Sequence, residues 1–124
     1  MNIELIRKNP VNEVIKRTWG TYKVIEYKKY CLVKQIDVLP GEMLSLQSHS
    51  YRSEYWTVVS GMAEVQRGDE FFHLEQDEAL VIPRNTKHRL ANKTGSPLRI
   101  VEIQYGDILD ENDIVRYDDL YGRA

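Results

Sequence analysis

Four polar residues in the middle of the chain carry side chains that proteins use to bind divalent metal ions. They are Gln47, His49, Glu54 and His88. Neutral imidazole nitrogen and carboxylate oxygen suit Zn, Mn, Fe, Co or Ni. Three or four protein ligands also leave a coordination position open for water or a substrate. The sequence therefore predicts a divalent metal site with reactive chemistry at the open position.

These residues fall in two blocks of regular spacing. The first block runs Gly41, five residues, Gln47-Ser48-His49, four residues, Glu54, six residues and Gly61. The second runs Asp77, five residues, Pro83-Arg84-Asn85-Thr86-Lys87-His88, three residues and Asn92. A single histidine is more often a hydrogen-bonded or surface residue than a ligand, but the joint spacing of both blocks favours one shared site.

The segments that must position these residues are short strands. From residue 22 onward, stretches rich in β-branched and aromatic residues alternate with turn-forming residues such as Gly61 and Gly68-Asp69. Many short strands at this spacing are typical of an all-β sandwich or barrel. Successive residues of a strand point to opposite faces, so Gln47 and His49 share a face, and the strands that carry the other candidates can turn them into the same interior.

Composition excludes several classes of function. The chain has 124 residues, a net charge of −2 and an isoelectric point of about 5.9. This size predicts one domain, and the charge provides no basic field for nucleic acid or anionic lipid. The start of the chain lacks the apolar segment of a signal peptide, no apolar run is long enough to span a membrane, and a single cysteine, Cys31, forms no internal disulfide. We therefore expect a cytoplasmic protein without nucleic-acid or membrane partners.

The two blocks resemble the two signature motifs of the cupin superfamily. In that superfamily the first motif carries His-x-His and then Glu between two glycines, and here Gln47 stands where the first His would be. In the second motif, Asp77 and Asn85 replace the two usual glycines. The resemblance implies an all-β fold, a double-stranded β-helix (cupin jelly-roll) barrel around a metal. It implies as ligands Gln47, His49, Glu54 and His88.

A closer resemblance is to the type II mannose-6-phosphate isomerases. It rests on Leu44-Ser45-Leu46-Gln47, Glu54-Tyr55-Trp56-Thr57-Val58-Val59-Ser60-Gly61, Ile82-Pro83, Thr86-Lys87-His88-Arg89-Leu90, Asp113-Ile114-Val115-Arg116-Tyr117 and Tyr121-Gly122-Arg123. Arg17-Thr18-Trp19-Gly20-Thr21-Tyr22 resembles that family's Arg-Pro-Trp-Gly-x-Tyr segment. That family has Gln in the first ligand position, as at Gln47. Many members join this module to a GDP-mannose pyrophosphorylase domain of GDP-mannose biosynthesis, and we expect a standalone module here.

The resemblance implies interconversion of mannose 6-phosphate and fructose 6-phosphate through a cis-enediol, supported by a divalent metal ion (Zn, Mn, Co, Ni or Fe). Glu54 either remains a metal ligand or leaves the metal and acts as the base. For the phosphate and sugar we nominate Lys34 and Arg116, and in second place Arg17, Lys87 and Arg123. Lys34 alternatively forms an ion pair with a neighbouring strand, and Arg116 a surface salt bridge to Asp113 or Asp118.

Two other functions stay open at this point. The family's His-His-His-Arg-x-Glu-His-Trp run appears here as His49-Ser50-Tyr51-Arg52-Ser53-Glu54-Tyr55-Trp56, so three neighbouring histidines are replaced. That loss fits a non-catalytic sugar-phosphate or sugar-nucleotide binding module. A cupin enzyme of other chemistry, such as an oxygenase, is a second alternative.

The expected organisation has three parts: an N-terminal arm or short helix over 1–20, a cupin barrel over 21–106, and a C-terminal tail over 107–124 that packs on the barrel. The resemblance also implies a homodimer formed through the sheets, with a hexose phosphate as substrate.

Overall fold

The computed structural model describes residues 9–118, and in this range the chain is all-β, with eleven strands and no helix. The strands are β1 Val14–Arg17, β2 Gly20–Tyr27, β3 Cys31–Val38, β4 Gln47–Ser48, β5 Arg52–Ser60, β6 Ala63–Arg67, β7 Glu70–Leu74, β8 Ala79–Ile82, β9 His88–Ala91, β10 Leu98–Gly106 and β11 Val115–Arg116. Among these residues, no helix exists that could cross a membrane.

The strands form two antiparallel sheets. One has six strands in the order β1-β2-β3-β10-β5-β8, and the other has five in the order β11-β4-β9-β6-β7. Neighbours in the sheets are far apart in sequence, as where β10 lies between β3 and β5. This crossed order of strands in two facing sheets is that of a double-stranded β-helix, and the fold class predicted from the sequence is confirmed.

The core lies between the sheets. Burial alternates along β3 and β10, so that every second side chain points inward. Val38, Trp56 and Ile100 from the larger sheet pack in one cluster with Val65 and Leu90 from the smaller sheet. Each such side chain contributes roughly 1.5–3 kcal/mol when it is fully buried. The core therefore makes a rigid frame for the polar residues that share its inward face.

The N-terminal segment differs from the expected arm or short helix. Within its described part, Val14–Arg17 forms β1, which pairs with β2 across a tight turn at residues 18–19. The β-branched pair Val14 and Ile15 favours a strand, and Ile15 packs against the core. Residues 14–20 are thus the edge of the larger sheet, while residues 1–8 lie outside the described part of the chain.

The described part of the tail, residues 107–118, lies against the barrel. Leu109 packs with Val24 and Leu32 in a second, smaller cluster. Further along, β11 pairs with β4, so the tail supplies an edge strand to the smaller sheet. It thereby covers the strand that carries Gln47.

Gly61 in the turn between β5 and β6 tests how closely the chain passes the start of β10, the neighbour of β5 in the larger sheet. Its φ is +90°, and a Cβ there would lie 2.5 Å from the carbonyl oxygen of Pro97. Gly68 also has a positive φ, +60°, but a Cβ there would meet no atom within 4 Å. We expect Gly61→Ala to lower the free energy of unfolding by about 3 kcal/mol or more and Gly68→Ala by about 1–2 kcal/mol, measured by urea denaturation. Equal losses would contradict a steric role for Gly61.

Candidate metal centre

Three of the four predicted metal ligands converge at one buried point. The ligand atoms of His49, Glu54 and His88 all lie within 4.8 Å of one another, and the three residues are 4%, 2% and 3% exposed. The Nε2 atom of His49 is 3.2 Å from Oε2 of Glu54, and Nε2 of His88 is 3.9 Å from Oε1. The structure thus brings together side chains from β5, β9 and the loop after β4.

Backbone carbonyls orient both imidazoles. Nδ1 of His49 is 2.7 Å from the carbonyl oxygen of Asp113, and Nδ1 of His88 is 2.9 Å from that of Thr86. A carbonyl oxygen only accepts a hydrogen bond, so each Nδ1 carries a proton and donates it. Burial lowers the pKa of His49 to about 4, against the opposing effect of Glu54. His49 is therefore neutral at pH 7, with the lone pair of its Nε2 directed at the site.

Glu54 is a fully buried carboxylate whose two oxygens are both bonded. The Nε group of Arg52 donates to Oε2 at 2.8 Å, and the indole N–H of Trp56 donates to Oε1 at 2.9 Å. Burial alone would raise the pKa of Glu54, but the positive charge of Arg52 holds that pKa well below its usual value. Glu54 is ionised and fixed in position.

This donor set fits a divalent ion. One ionised carboxylate and two imidazoles whose Nε2 lone pairs point into the group are ligands that Zn, Mn, Fe, Co and Ni accept. The hydrogen bonds to Asp113 and Thr86 are the outer contacts that ligating histidines usually have. His49, Glu54 and His88 would hold such an ion.

Gln47, the fourth predicted ligand, lies beside this group. It is paired with His88 in the register of β4 and β9, and its side chain lines the same cavity. Its amide nitrogen donates weakly to the carbonyl and hydroxyl oxygens of Ser45, at 3.4 and 3.3 Å, which leaves the amide oxygen free of those bonds. Its role as a ligand stays a prediction.

A cavity of about 280 Å³ opens between the two sheets next to the ligand group. Glu54, His88 and Arg52 form part of its wall, whereas His49 does not. Of the five cations nominated for phosphate and sugar, the cavity wall includes Lys34, Arg17 and Arg116. Lys87 lies outside the wall, with its ammonium 4.3 Å from the centre of the Tyr117 ring, and Arg123 lies outside the described residues.

Lys34 forms the ion pair of its alternative interpretation and also lines the cavity, and its role toward phosphate and sugar stays a prediction. It is 8% exposed on the inward face of β3, where its ammonium lies 3.6 Å from Glu111 and 4.0 Å from Glu102. It also lies 4.6 Å from the centre of the Tyr22 ring. Lys34 therefore forms ion pairs with a neighbouring strand and with the tail while it faces the cavity.

Arg116 does not form the surface salt bridge to Asp113 or Asp118 that was its alternative interpretation. The Asp113 carboxylate instead accepts hydrogen bonds from the backbone amides of Ser50 and Tyr51, at 2.8 and 2.9 Å. Asp118 pairs with Arg89. Within residues 9–118, Arg116 makes no ion pair, and its exposed side chain borders the cavity.

Sequence reasoning missed Glu102 and Gln104 on β10. Both are buried, and the Gln104 amide donates to Oε2 of Glu102 at 2.7 Å. Burial, followed by the negative charge of Glu54, raises the pKa of Glu102 to about 8. A signal was present, because both residues alternate with outward ones and are in phase with Leu98 and Ile100 on the inward face. Arg52 was likewise in phase with Glu54.

The tail orients the loop that carries His49. Asp113 holds this loop through three hydrogen bonds: its carboxylate binds the amides of Ser50 and Tyr51, and its carbonyl binds His49. The Tyr117 amide also donates to the carbonyl of Leu46 at 2.8 Å. The tail is therefore part of the metal centre's support.

Residues 7–119 match the family model described as mannose-6-phosphate isomerase C-terminal. Among similar proteins, the xanthan biosynthesis protein XanB of Xanthomonas campestris pv. campestris (strain B100) is 48% identical over 110 residues, which are 89% of this chain and 24% of XanB. The alginate biosynthesis protein AlgA of Pseudomonas aeruginosa is 45% identical over 89% of this chain and 23% of AlgA. The chain thus spans about a quarter of the length of these relatives.

Solved structures show the same fold at lower identity. A Klebsiella pneumoniae protein with a double-stranded β-helix domain matches with a TM-score of 0.69 and 20% identity, over 94% of this chain and 93% of that one. The oxalate decarboxylase of Lactobacillus farciminis matches with a TM-score of 0.74 and 20% identity, over 85% of this chain and 33% of that one. These likenesses establish the fold and carry no statement about the reaction.

The raised pKa of Glu102 predicts a stability that depends on pH. In the folded chain Glu102 keeps its proton up to about pH 8, whereas its usual pKa is 4.5. Its contribution to stability is therefore complete below pH 4.5 and is lost as the pH rises through 8. Glu102→Gln has no proton to lose, so it should not share this loss of stability. We expect the free energy of unfolding of Glu102→Gln, minus that of the unsubstituted protein, to be on the order of 2 kcal/mol larger at pH 9 than at pH 5.

The measurement is urea denaturation of metal-free protein at both pH values, with Glu13→Gln at an exposed position as the matched control. If the difference in free energy of unfolding between Glu102→Gln and the unsubstituted protein stayed constant from pH 5 to pH 9, Glu102 would not be protonated in the folded chain as predicted.

Proposed function

Because the chain belongs to the mannose-6-phosphate isomerase C-terminal family, we propose that it is a metal-dependent aldose–ketose isomerase that interconverts mannose 6-phosphate and fructose 6-phosphate through a cis-enediol. The observation that carries this proposal is the buried group His49, Glu54 and His88 beside a cavity with three nominated cations in its wall. A cavity of about 280 Å³ is near the small end of the usual range for ligand sites and suits one hexose phosphate.

Each side chain in this proposal has a role that its contacts support. A divalent ion held by His49, Glu54 and His88 would polarise the carbonyl and hydroxyl oxygens of the sugar. Both oxygens of Glu54 are bonded to neighbours, which favours its role as a ligand over its alternative role as a base. We assign proton transfer to Glu102, since its pKa of about 8 suits a group that takes and returns a proton near neutral pH.

Lys34 completes the inner part of the cavity. Its ammonium lies between Glu102 and Glu111, so it supplies a positive charge beside the group that transfers the proton. A fixed positive charge favours negative charge that develops on a sugar oxygen during the reaction.

Arg17 and Arg116 are suited to the phosphate. They stand on β1 and β11, which are edge strands of the two different sheets, and both border the cavity. Neither forms an ion pair with a carboxylate within residues 9–118. A guanidinium offers several donors to phosphate oxygens in a planar arrangement, so a pair of them at the opening would orient the substrate with its sugar toward the metal.

The second candidate is a non-catalytic module that binds a sugar phosphate or a sugar nucleotide. The observation in its favour is that Arg52 already bonds two of the ligand residues, His49 and Glu54. Another relative, RfbM of Salmonella typhimurium, is named a mannose-1-phosphate guanylyltransferase and is 38% identical over 97% of this chain and 26% of RfbM. A binding module and an isomerase differ in turnover and not in affinity.

The decisive experiment is a coupled assay for fructose 6-phosphate formed from mannose 6-phosphate, on metal-stripped protein and on protein reloaded with Zn²⁺, Co²⁺ or Mn²⁺. We expect turnover only after reloading, and we expect His88→Ala to lose both bound metal and activity because one of three ligands is gone. Protein that binds metal and mannose 6-phosphate without turnover would establish the binding module and contradict the enzyme.

Arg116→Met tests the phosphate role. A lost guanidinium–phosphate bond costs about 2 kcal/mol, so we expect kcat/KM to fall roughly 30-fold, mainly through a higher KM. Arg99→Met is the matched control, since Arg99 forms its ion pair with Asp37 and is not part of the cavity wall. An unchanged KM in Arg116→Met would remove Arg116 from the site.

We also propose a homodimer through the outer face of the larger sheet. A solvated sheet face is normally polar, but here Ile103 is paired with Val33 on one side and with Tyr55 on the other, and Tyr55 is paired with Val81. Tyr55 and Val81 are 38% and 43% exposed. The same face on a second copy offers a matching apolar surface, as a two-fold dimer requires.

Tyr55→Lys should weaken this dimer, because it places a charge in the centre of the apolar face. We expect light scattering after size exclusion to show a shift from dimer to monomer, with at least a tenfold higher dissociation constant. Phe71→Lys is the control on the other sheet, where Phe71 is 75% exposed. A monomeric unsubstituted protein at high micromolar concentration would contradict the dimer.

A further inference from the structure

Arg52 is a buried cation inside the group of ligand residues. It is 6% exposed, and its Nε group donates to Oε2 of Glu54 at 2.8 Å while its Nη2 atom is 3.2 Å from Nε2 of His49. Nδ1 of His49 donates to Asp113, so Nε2 of His49 is an acceptor and receives the hydrogen bond from Arg52. The guanidinium thus engages two of the three residues that would hold an ion.

The lone pair of His49 cannot serve two partners at once. A neutral imidazole has one unprotonated nitrogen, and the same electron pair that accepts from Arg52 would have to bind the ion. The two cations also repel each other at close range in a buried site. An ion can therefore take its place only if Arg52 releases His49, while Nε of Arg52 can remain on Glu54.

The position of Arg52 makes such a release possible. Arg52 is part of the cavity wall, so open space lies beside this residue. Its Nε group also donates to the ionised Glu54. A guanidinium that turns its Nη groups away from His49 would thus keep this carboxylate partner and would not be left as an unpaired buried charge.

We propose that Arg52 is a built-in competitor for the metal, a positioning residue that keeps Glu54 and His49 in place without an ion and yields His49 when an ion binds. The inference rests on the metal centre of the proposed function, but not on its isomerase activity. It implies a site that binds its metal reversibly and more weakly than the ligands alone would. A purely structural Arg52, which only orients Glu54 for the ion, would have the opposite effect on affinity.

The test is the affinity of metal-free protein for Co²⁺, measured by calorimetry, with the visible absorption of bound Co²⁺ as a signature of the ligand set. Arg52→Met keeps much of the side-chain volume and removes the charge and the donors. We expect it to bind Co²⁺ at least tenfold more tightly than the unsubstituted protein, with a similar absorption spectrum. Arg99→Met, which removes an exposed arginine, should bind Co²⁺ unchanged.

Thermal melting gives a second readout that a merely structural role would not produce. Without its cation, metal-free Arg52→Met should melt at a lower temperature, because the buried carboxylate of Glu54 then lacks its positive neighbour. Saturating Co²⁺ should restore most of the loss, so the metal-induced rise in melting temperature should be larger in Arg52→Met than in the unsubstituted protein.

Arg52→Lys keeps the inference testable if Arg52→Met fails to fold without metal. A lysine retains one charge but lacks the rigid fork whose separate nitrogens bond Glu54 and His49, and we expect its Co²⁺ affinity to lie at least threefold above that of the unsubstituted protein. Equal or weaker Co²⁺ binding by Arg52→Lys and by any folded Arg52→Met would overturn the inference, as would absence of Co²⁺ binding in all proteins. Loss of isomerase turnover with tighter Co²⁺ binding would leave it standing and would contradict the proposed function alone.

Discussion

The structure depends on one buried charge, the carboxylate of Glu54. An ionised carboxylate inside a protein is tolerated only where it is paired and hydrogen-bonded, and here Arg52 and Trp56 bond its two oxygens. All three residues lie on β5 at every second position and so share its inward face. A single strand therefore supplies the charge and its main partners. The two histidines lie near the same two oxygens, at 3.2 and 3.9 Å, which places the ligand group where β5 faces the smaller sheet.

The rest of the barrel keeps this group in place. The apolar core between the sheets fixes their separation, and Trp56 belongs to that core while it donates to Glu54. The tail adds a second constraint, because Asp113 bonds the loop that carries His49. Site and fold are thus one structure: the same strands that bury apolar residues at one end present carboxylates, imidazoles and cations at the other.

Charged groups are distributed unevenly across the cavity. Glu102 and Lys34 lie deep in the wall, next to the ligand group, whereas Arg17 and Arg116 are exposed at the edges of the two sheets. A substrate with a charged end and a reactive end would find partners for both. This order would also explain why the inner groups are tightly paired with one another, while the outer arginines make no ion pair within residues 9–118.

The sequence by itself determined the fold class and singled out three residues that the fold brings together as a candidate ligand group. Alternation along short strands and the spacing around His49, Glu54 and His88 carry that information locally, because each strand must turn one face inward. The N-terminal strand and the partners of Glu54 and Lys34 were not predictable in the same way. Strand order decided that Glu102 of β10 lies beside β3 and β5, and only the folded tail decided that Asp113 orients His49. Such contacts join residues dozens of positions apart, and local pattern does not encode which strands become neighbours.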